Sequence, residues 1–272
     1  MLHTIKSSLN ANMRGISVIA NNIANSNTTA FKRSNSNFSD VYSITVSSSP
    51  KSYSGMGVIN NDPRKQMFQG PLKQTGRALD LAVNGLGFFT LQNVKNVEKS
   101  YFTRDGSFNL LKDGNVVNSE GLSLMGHAVD VGGTFNPGLI EKVEIPLTQN
   151  IIGRGELILT NVNVSPSGVL KAVYGLDTEV VISKLPLASF NDTTQLKSEG
   201  NNLYRSSPKS GLPQYGLAID GTYGEIIPGF LESSNVEITD ELAKMIKYQQ
   251  AFTGNSRLLQ TEVEIAEKLI NR

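Results

Sequence analysis

The feature that most constrains this chain is a seven-residue apolar repeat at each of its two ends. Near the start, Leu2, Leu9, Ile16 and Ile23 are spaced by sevens, and Ile5, Asn12 and Ile19 form a second row. The two rows are the a and d positions of a coiled-coil seam, with Asn12 as its polar interruption. Gly15 weakens the helix by about 1 kcal/mol, and the Asn-rich run from Asn21 to Thr29 ends it. Near the other end, Ile238, Leu242, Met245, Gln249, Phe252, Ser256, Leu259, Val263, Ala266 and Ile270 alternate steps of four and three. Ser234 followed by Glu237 fits a capping box. A helix from there to Asn271 would be about 55 Å long.

An amphipathic helix most often packs on the core of its own domain. The terminal position of both seams, and their period of seven, point instead to helices that pair and then assemble. The apolar side chains of one such pair bury less than the backbone entropy of ordering the two segments requires. The pair is therefore expected to become stable when further copies cover its outer faces.

The middle of the chain reads as β. Leu79 to Val83 and Gly87 to Leu91 flank Asn84-Gly85, a hairpin signal. Phe108 to Leu111 and Asn115 to Val117 flank Lys112-Asp113-Gly114, and Ser119-Glu120-Gly121 turns into Leu122 to Met125. Asn161 to Val164 and Gly168 to Tyr174 flank Ser165-Pro-Ser-Gly168, and Glu179 to Phe190 is strand-rich. Short strands with frequent turns predict an antiparallel sheet. The expected fold class is α+β: paired N- and C-terminal coiled-coil helices plus a central antiparallel all-β domain. Residues 1–30 with 235–272 form the helical assembly domain, 31–69 a Ser/Asn-rich linker, and 70–230 the β domain. The linker, poor in core residues, reads as loop-like until a partner orders it.

Chemistry is sparse. The chain has no cysteine, which excludes disulfides, thiolate metal sites and Cys nucleophiles. Its two histidines, His3 and His127, lack a second ligand at metal spacing. Gly85-Leu-Gly87 is an incomplete dinucleotide fingerprint and reads as a turn. A net charge of +1 suggests no nucleic-acid partner, and Lys32-Arg33 reads as a solvated face. The carboxylates Asp177 and Glu179 cannot be judged by spacing, because glycosidase pairs are distant in sequence. No stretch approaches the length of a membrane span, and the first ten residues lack the apolar core of a secretory signal. No enzyme, cofactor or metal site is expected.

An ordered set of segments carries a resemblance. Ala20-Asn-Asn-Ile-Ala-Asn-Ser-Asn-Thr-Thr-Ala-Phe-Lys-Arg33 resembles the N-terminal signature of bacterial flagellar rod and hook proteins. Leu231-Glu-Ser-Ser-Asn-Val236 with Glu241-Leu-Ala-Lys-Met-Ile246 resembles their C-terminal signature. Leu79-Asp-Leu-Ala-Val-Asn-Gly-Leu-Gly-Phe-Phe89, Tyr101-Phe-Thr-Arg-Asp-Gly-Ser-Phe108, Leu111-Lys-Asp-Gly114 and Asn201-Asn-Leu-Tyr204 match between them. Tyr248-Gln-Gln-Ala-Phe252 departs from the family's Gln-Arg-x-Tyr stretch in lacking the Arg.

The resemblance implies a structural subunit of the basal-body rod or hook that self-assembles into a helical torque-transmitting tube. Its partners would be copies of itself, neighbouring rod and hook proteins, and the type III export apparatus, with no nucleic acid and no membrane insertion. It would lie in the flagellum, periplasmic to extracellular, exported unfolded without a cleaved secretory signal. The terminal helices would form the inner tube and the β domain the outer layer, with the segment after the first helix touching neighbours. The expected subunit-interface residues are Leu2, Ile5, Leu9, Ile16, Ile19, Ile23, Asn25, Phe31, Ile238, Leu242, Met245, Phe252, Leu259, Val263 and Ile270. Asn27-Thr-Thr-Ala-Phe-Lys-Arg33 and Phe38-Ser-Asp-Val-Tyr42 lean toward the hook protein, and the length toward the distal rod protein. Two other classes stay open. One is a secreted β-domain enzyme or adhesin oligomerised by its helices, marked by a polar concave pocket with perturbed carboxylates. The other is an intracellular oligomeric scaffold that is not exported.

Overall fold

Both heptad repeats form helices: α1 spans Leu2–Ala24 and α2 spans Ile238–Ile270. These belong to a computed structural model that describes residues 2–45, 52–93, 96–129, 135–151, 155–176 and 178–271. Asn25 closes α1, its N–H reaching the carbonyls of Asn21 and Asn22 at 3.2 Å. Its side-chain amide donates to Asn21 O at 2.9 Å. Ser234 and Glu237 do not form the expected capping box. Ser234 is buried, and α2 starts at Ile238 with Glu237 as N-cap and no side-chain cap bond. Asp240 and Glu241 in the first turn supply the negative charge that a helix N-terminus favours.

The chain divides into two compact units. The first combines Met1–Asn27, Lys32–Met67 and Asn235–Arg272, and the second Thr28–Phe31 and Phe68–Ser234.

In the first unit, the segment expected to be loop-like is a hairpin. Strands β1 (Ser34–Thr45) and β2 (Ser52–Lys65) pair antiparallel from Ser34 opposite Lys65 to Thr45 opposite Ser52. The composition misled because it is poor in core residues, yet a long two-stranded ladder satisfies the backbone without them. Gly57 (φ 110°) sits where a Cβ would strike Ser7 Oγ, so the strand approaches α1 closely there. Val58 N–H donates to Ser7 Oγ at 3.3 Å. Lys32 and Arg33 are not a solvated face: Lys32 is fully buried, and Arg33 Nε donates to Gln66 Oε1 at 2.6 Å.

The second unit is antiparallel β throughout its named pairings, so the class is α+β as expected. Strands Thr148–Ile151, Gly155–Val164, Val169–Tyr174, Thr178–Lys184, Ser123–Val129, Phe89–Asn93, Asn96–Thr103, Leu203–Arg205 and Lys197–Gly200 follow one another across the main sheet. Phe135–Lys142 also pairs with Ser123–Val129. Three two-stranded ribbons accompany it: Pro186–Ser189 with Gln214–Leu217, Leu81–Asn84 with Glu225–Pro228, and Leu72–Gln74 with Phe230–Glu232. Leu81, Phe89, Phe108, Leu124, Ile145, Leu170 and Leu185 are among its fully buried side chains.

Turns at 112–114 and 165–168 form as expected, joining 109–110 to 116–117 and 155–164 to 169–174. Asn84-Gly85 is not a hairpin turn. Leu81–Asn84 pairs with distant Glu225–Pro228, while Phe89–Asn93 pairs with strands 96–103 and 123–129. Gly85 lies 2.9 Å, measured from an added Cβ, from Gly224 Cα. The glycines there serve a close backbone crossing rather than a chain reversal.

Candidate assembly interface

In the first unit three polar or aromatic contacts join α1 and α2, which run antiparallel. Asn22 Nδ2 donates to Glu241 Oε2 at 2.9 Å. The Tyr248 ring lies over Gly15, where an added Cβ would come within 2.7 Å of it. Asn255 Nδ2 donates to Ser8 Oγ at 2.6 Å. Positions 8, 15 and 22 are spaced by sevens, as are 241, 248 and 255. The heptad is real, but the row that meets in the chain stands one residue before the apolar row on α1. On α2 it stands one residue before the row of Leu242, Gln249, Ser256 and Val263. One residue is a rotation of about 100°.

That rotation decides where the expected interface residues lie. On α1, Ile19 is buried, Ile5, Leu9, Ile16 and Ile23 are half-buried, and Leu2 is exposed. On α2, Met245, Phe252 and Leu259 are half-buried, whereas Ile238, Leu242, Val263 and Ile270 are exposed. Asn25 is half-buried at the end of α1, and Phe31 is buried and belongs with the β unit. The structure thus buries Ile19, partly covers Ile5, Leu9, Ile16, Ile23, Met245, Phe252 and Leu259, and leaves Leu2, Ile238, Leu242, Val263 and Ile270 facing outward.

The polar members of the seam are well partnered. Asn22 is fully buried. Its amide also donates to Ser34 O at 2.8 Å, and its Oδ1 accepts the Ser34 N–H at 2.9 Å. Glu241, also buried, accepts from Lys244 Nζ at 2.6 Å. Tyr248 OH lies 3.1 Å from Ser36 Oγ, and its ring centroid lies 6.5 Å from that of Phe38. Sequence reasoning missed Gly15, Asn22, Glu241 and Tyr248. The signal that could have found them is the second seven-residue row, of small and polar residues, that runs beside the apolar one.

Among the described residues of this unit, Ala11 and Ile19 are the buried hydrophobics. Meanwhile Ile238, Leu242, Ile246, Leu258, Val263, Ile265, Leu269 and Ile270 are exposed by 44% to 83%. The pair buries Asn22 and Glu241 inside while most of the aliphatic side chains of α2 stay outside. Chemically this surface can do one thing, which is to bury itself against another apolar surface.

In the β unit the signature segments meet at one buried ion pair. Arg104 Nη1 lies 3.6 Å from Glu232 Oε2, both side chains essentially fully buried. Arg104 Nη2 donates to Gly85 O at 2.7 Å and Nη1 to Val83 O at 3.3 Å, and the guanidinium lies 5.1 Å from the Phe88 ring centroid. Glu232 accepts from Gly70 N–H at 2.8 Å, and its carbonyl accepts the Ala30 N–H at 2.8 Å. Asn202 Nδ2 donates to Thr29 O at 2.7 Å. Ala30 has φ 53°, a left-handed conformation unusual for alanine, and these bonds hold it. Burial lowers the Arg104 pKa, with Glu232 opposing the shift. Burial, and then Glu232, pushes the Tyr204 phenol well up.

A cavity of about 550 Å³ in the same unit is lined by Met125, Ile140, Glu141, Lys142, Glu144 and Ser183 among others. Lys142 Nζ pairs with Glu144 at 3.0 Å. His3 is exposed and His127 buried, and Asp177 lies outside the described residues. Among the described residues, no group of three or more His, Cys, Asp or Glu could hold a metal. No helix among them is long and apolar enough to cross a membrane.

Residues 2–32 match the family described as flagella basal body rod protein. Residues 82–172 match the flagellar hook protein FlgE/F/G D1 domain, and 227–272 the flagellar basal body rod FlgEFG protein C-terminal. The chain is 30% identical over 277 residues to the flagellar basal-body rod protein FlgG of Buchnera aphidicola subsp. Acyrthosiphon pisum, covering 97% of this chain and 96% of that one. It is 30% identical over 271 residues to FlgG of Bacillus subtilis, covering 94% and 92%. It is 26% identical over 402 residues to the flagellar hook protein FlgE of Rhizobium meliloti, covering 99% and 98%.

Proposed function

Because this chain belongs to the flagellar rod and hook protein family, a family of structural flagellar subunits, we propose that it builds the rod. Copies of it and neighbouring rod and hook proteins join through the outward rows of α1 and α2 into a tube that transmits torque. The observation that carries rod over hook is length. The alignment with the Buchnera FlgG needs 277 positions for nearly the whole of both chains. The alignment with the Rhizobium FlgE needs 402 to take in 99% of this 272-residue chain. The hook relative therefore carries substantial sequence with no counterpart here.

The exposed Leu2, Ile238, Leu242, Val263 and Ile270 are the interface residues available without rearrangement. Ile5, Leu9, Ile16, Ile23, Met245, Phe252 and Leu259 contribute their exposed edges. Its work is packing rather than catalysis. It leaves the cytoplasm unfolded through the flagellar export apparatus, with its N-terminus uncleaved. The match of residues 2–32 and 227–272 to the terminal segments of this family supports that reading. N-terminal sequencing of the assembled protein should return the uncut start.

The test of place is electron microscopy of isolated basal bodies carrying a tag at the exposed 119–121 turn. Label along the rod is expected. Label on the hook would overturn the rod assignment, and label on neither would overturn the proposal.

A further inference from the structure

We propose that the last turns of α2 in one copy seat in a groove at the far end of the helix pair of the next copy. This head-to-tail contact rests on the assembly reading above and specifies how assembly proceeds. The register is set by Ser8 against Asn255, Gly15 against Tyr248, and Asn22 against Glu241. Continuing it, α1 runs out opposite Thr261. Glu262 to Ile270 then extends past α1 by about two and a half turns.

Beside the row of α2 that meets α1, a second row leads from Asn255 at steps of three and four through Leu258, Glu262, Ile265 and Leu269. Leu258, Ile265 and Leu269 are exposed. Leu258 lies within the length that α1 spans and is still exposed, so this row runs beside the α1–α2 interface, on the flank that carries Lys244 and Ala251 at the same seven-residue spacing. Three glutamates against one lysine, from Glu262 to Lys268, make the segment acidic.

The receiving groove is a cavity of about 460 Å³ between α1, α2 and the start of β1. Val18, Ile19, Tyr248 and Ala251 give it an apolar lining, and Lys244 and Lys247 a basic one. Lys244 is matched by Glu241 at 2.6 Å, whereas Lys247 is exposed. An apolar, acidic helix end therefore fits an apolar, basic groove. Within one copy the two cannot meet, since they stand about 25 Å apart on one rigid helix. The partner is a second copy, and because the two surfaces differ, the contact is head-to-tail and builds an open filament where its rotation does not close a ring.

The cysteine-free chain allows a direct test. Full-length protein carrying Ala251→Cys and Ile265→Cys would be concentrated until it sediments as polymer, then oxidised. A ladder of linked multimers is expected from the double variant, and nothing beyond dimers from either single variant. Polymers that sediment normally but give no ladder would overturn the contact and leave the assembly reading intact. Wild-type chain that never polymerises would strike the assembly reading instead. In a second arm, Lys247→Glu should lower polymer yield at least about tenfold, and adding Glu262→Lys should restore it. Wild-type yield from Lys247→Glu alone would overturn the proposal.

Discussion

Glu232 and Glu241 are both buried, and each is matched in a different way. Glu232 faces a guanidinium at 3.6 Å and takes a backbone N–H. Glu241 is shared between an amide and a half-exposed ammonium. A buried carboxylate that loses its cation is left uncompensated, which costs about 3–5 kcal/mol. Arg104→Met should therefore destabilise the β unit by roughly that amount, read from denaturant unfolding. The double variant Arg104→Met with Glu232→Gln should recover much of it, because no naked charge remains. A double variant as unstable as the single one would show that the node works through arginine packing and its carbonyl bonds alone. Gly15 makes a second residue-scale point. Its missing side chain is the socket of Tyr248, so Gly15→Val should reduce helix pairing, seen as lost helical circular dichroism in the polymer. Tyr248→Ala in the same chain should relieve the clash. If Gly15→Val alone pairs normally, the ring is free to move and the socket is unimportant.

At the scale of elements, the helical unit holds two buried hydrophobics among its described residues, while the β unit holds nearly all the others. Apolar burial drives folding, so the helices should order only weakly in a lone copy. Limited proteolysis of dilute monomer should cut within 1–27 and 235–272 first and leave a resistant β fragment. Terminal segments that survive in a clean monomer would refute this. The helices were legible from the sequence because a period of seven repeats often enough to outweigh local noise. Which row faces inward was not legible. Leu9, Ile16 and Ile23 read as the seam, yet Gly15 and Asn22, one position earlier, meet α2. A pattern reader assumes that apolar residues face the nearest partner, and here that partner is satisfied by amide, carboxylate and phenol. The turns at 112–114 and 165–168 were legible because their strands are neighbours in sequence. Asn84-Gly85 was not, since Leu81–Asn84 finds its partner at 225–228. The β1–β2 hairpin was hidden for a similar reason, as its stability lies in the ladder and not in its composition.

For the whole molecule, the assembly proposed above separates from folding, because the aliphatic row of α2 is exposed. On the proposed assembly, side chains that a lone copy leaves in water would become core when copies meet, so an exposed seam residue should be changeable with little effect on the monomer. Leu242 is the clearest case, being 46% exposed and next to the buried Glu241 in sequence. Leu242→Asp should shift the stability of the isolated chain by less than about 0.5 kcal/mol, as for other surface changes. In the tube the same aspartate would be buried without a partner, which is costly. Loss of sedimenting polymer is therefore expected, with near-ultraviolet circular dichroism of the β unit unchanged. Leu259→Asp should differ in kind, because Leu259 is half-buried already and its change should weaken helix pairing as well as assembly. Normal tubes from Leu242→Asp would mean that the outward row of α2 faces solvent in the assembled state, and the tube would have to be built through the other faces of the unit.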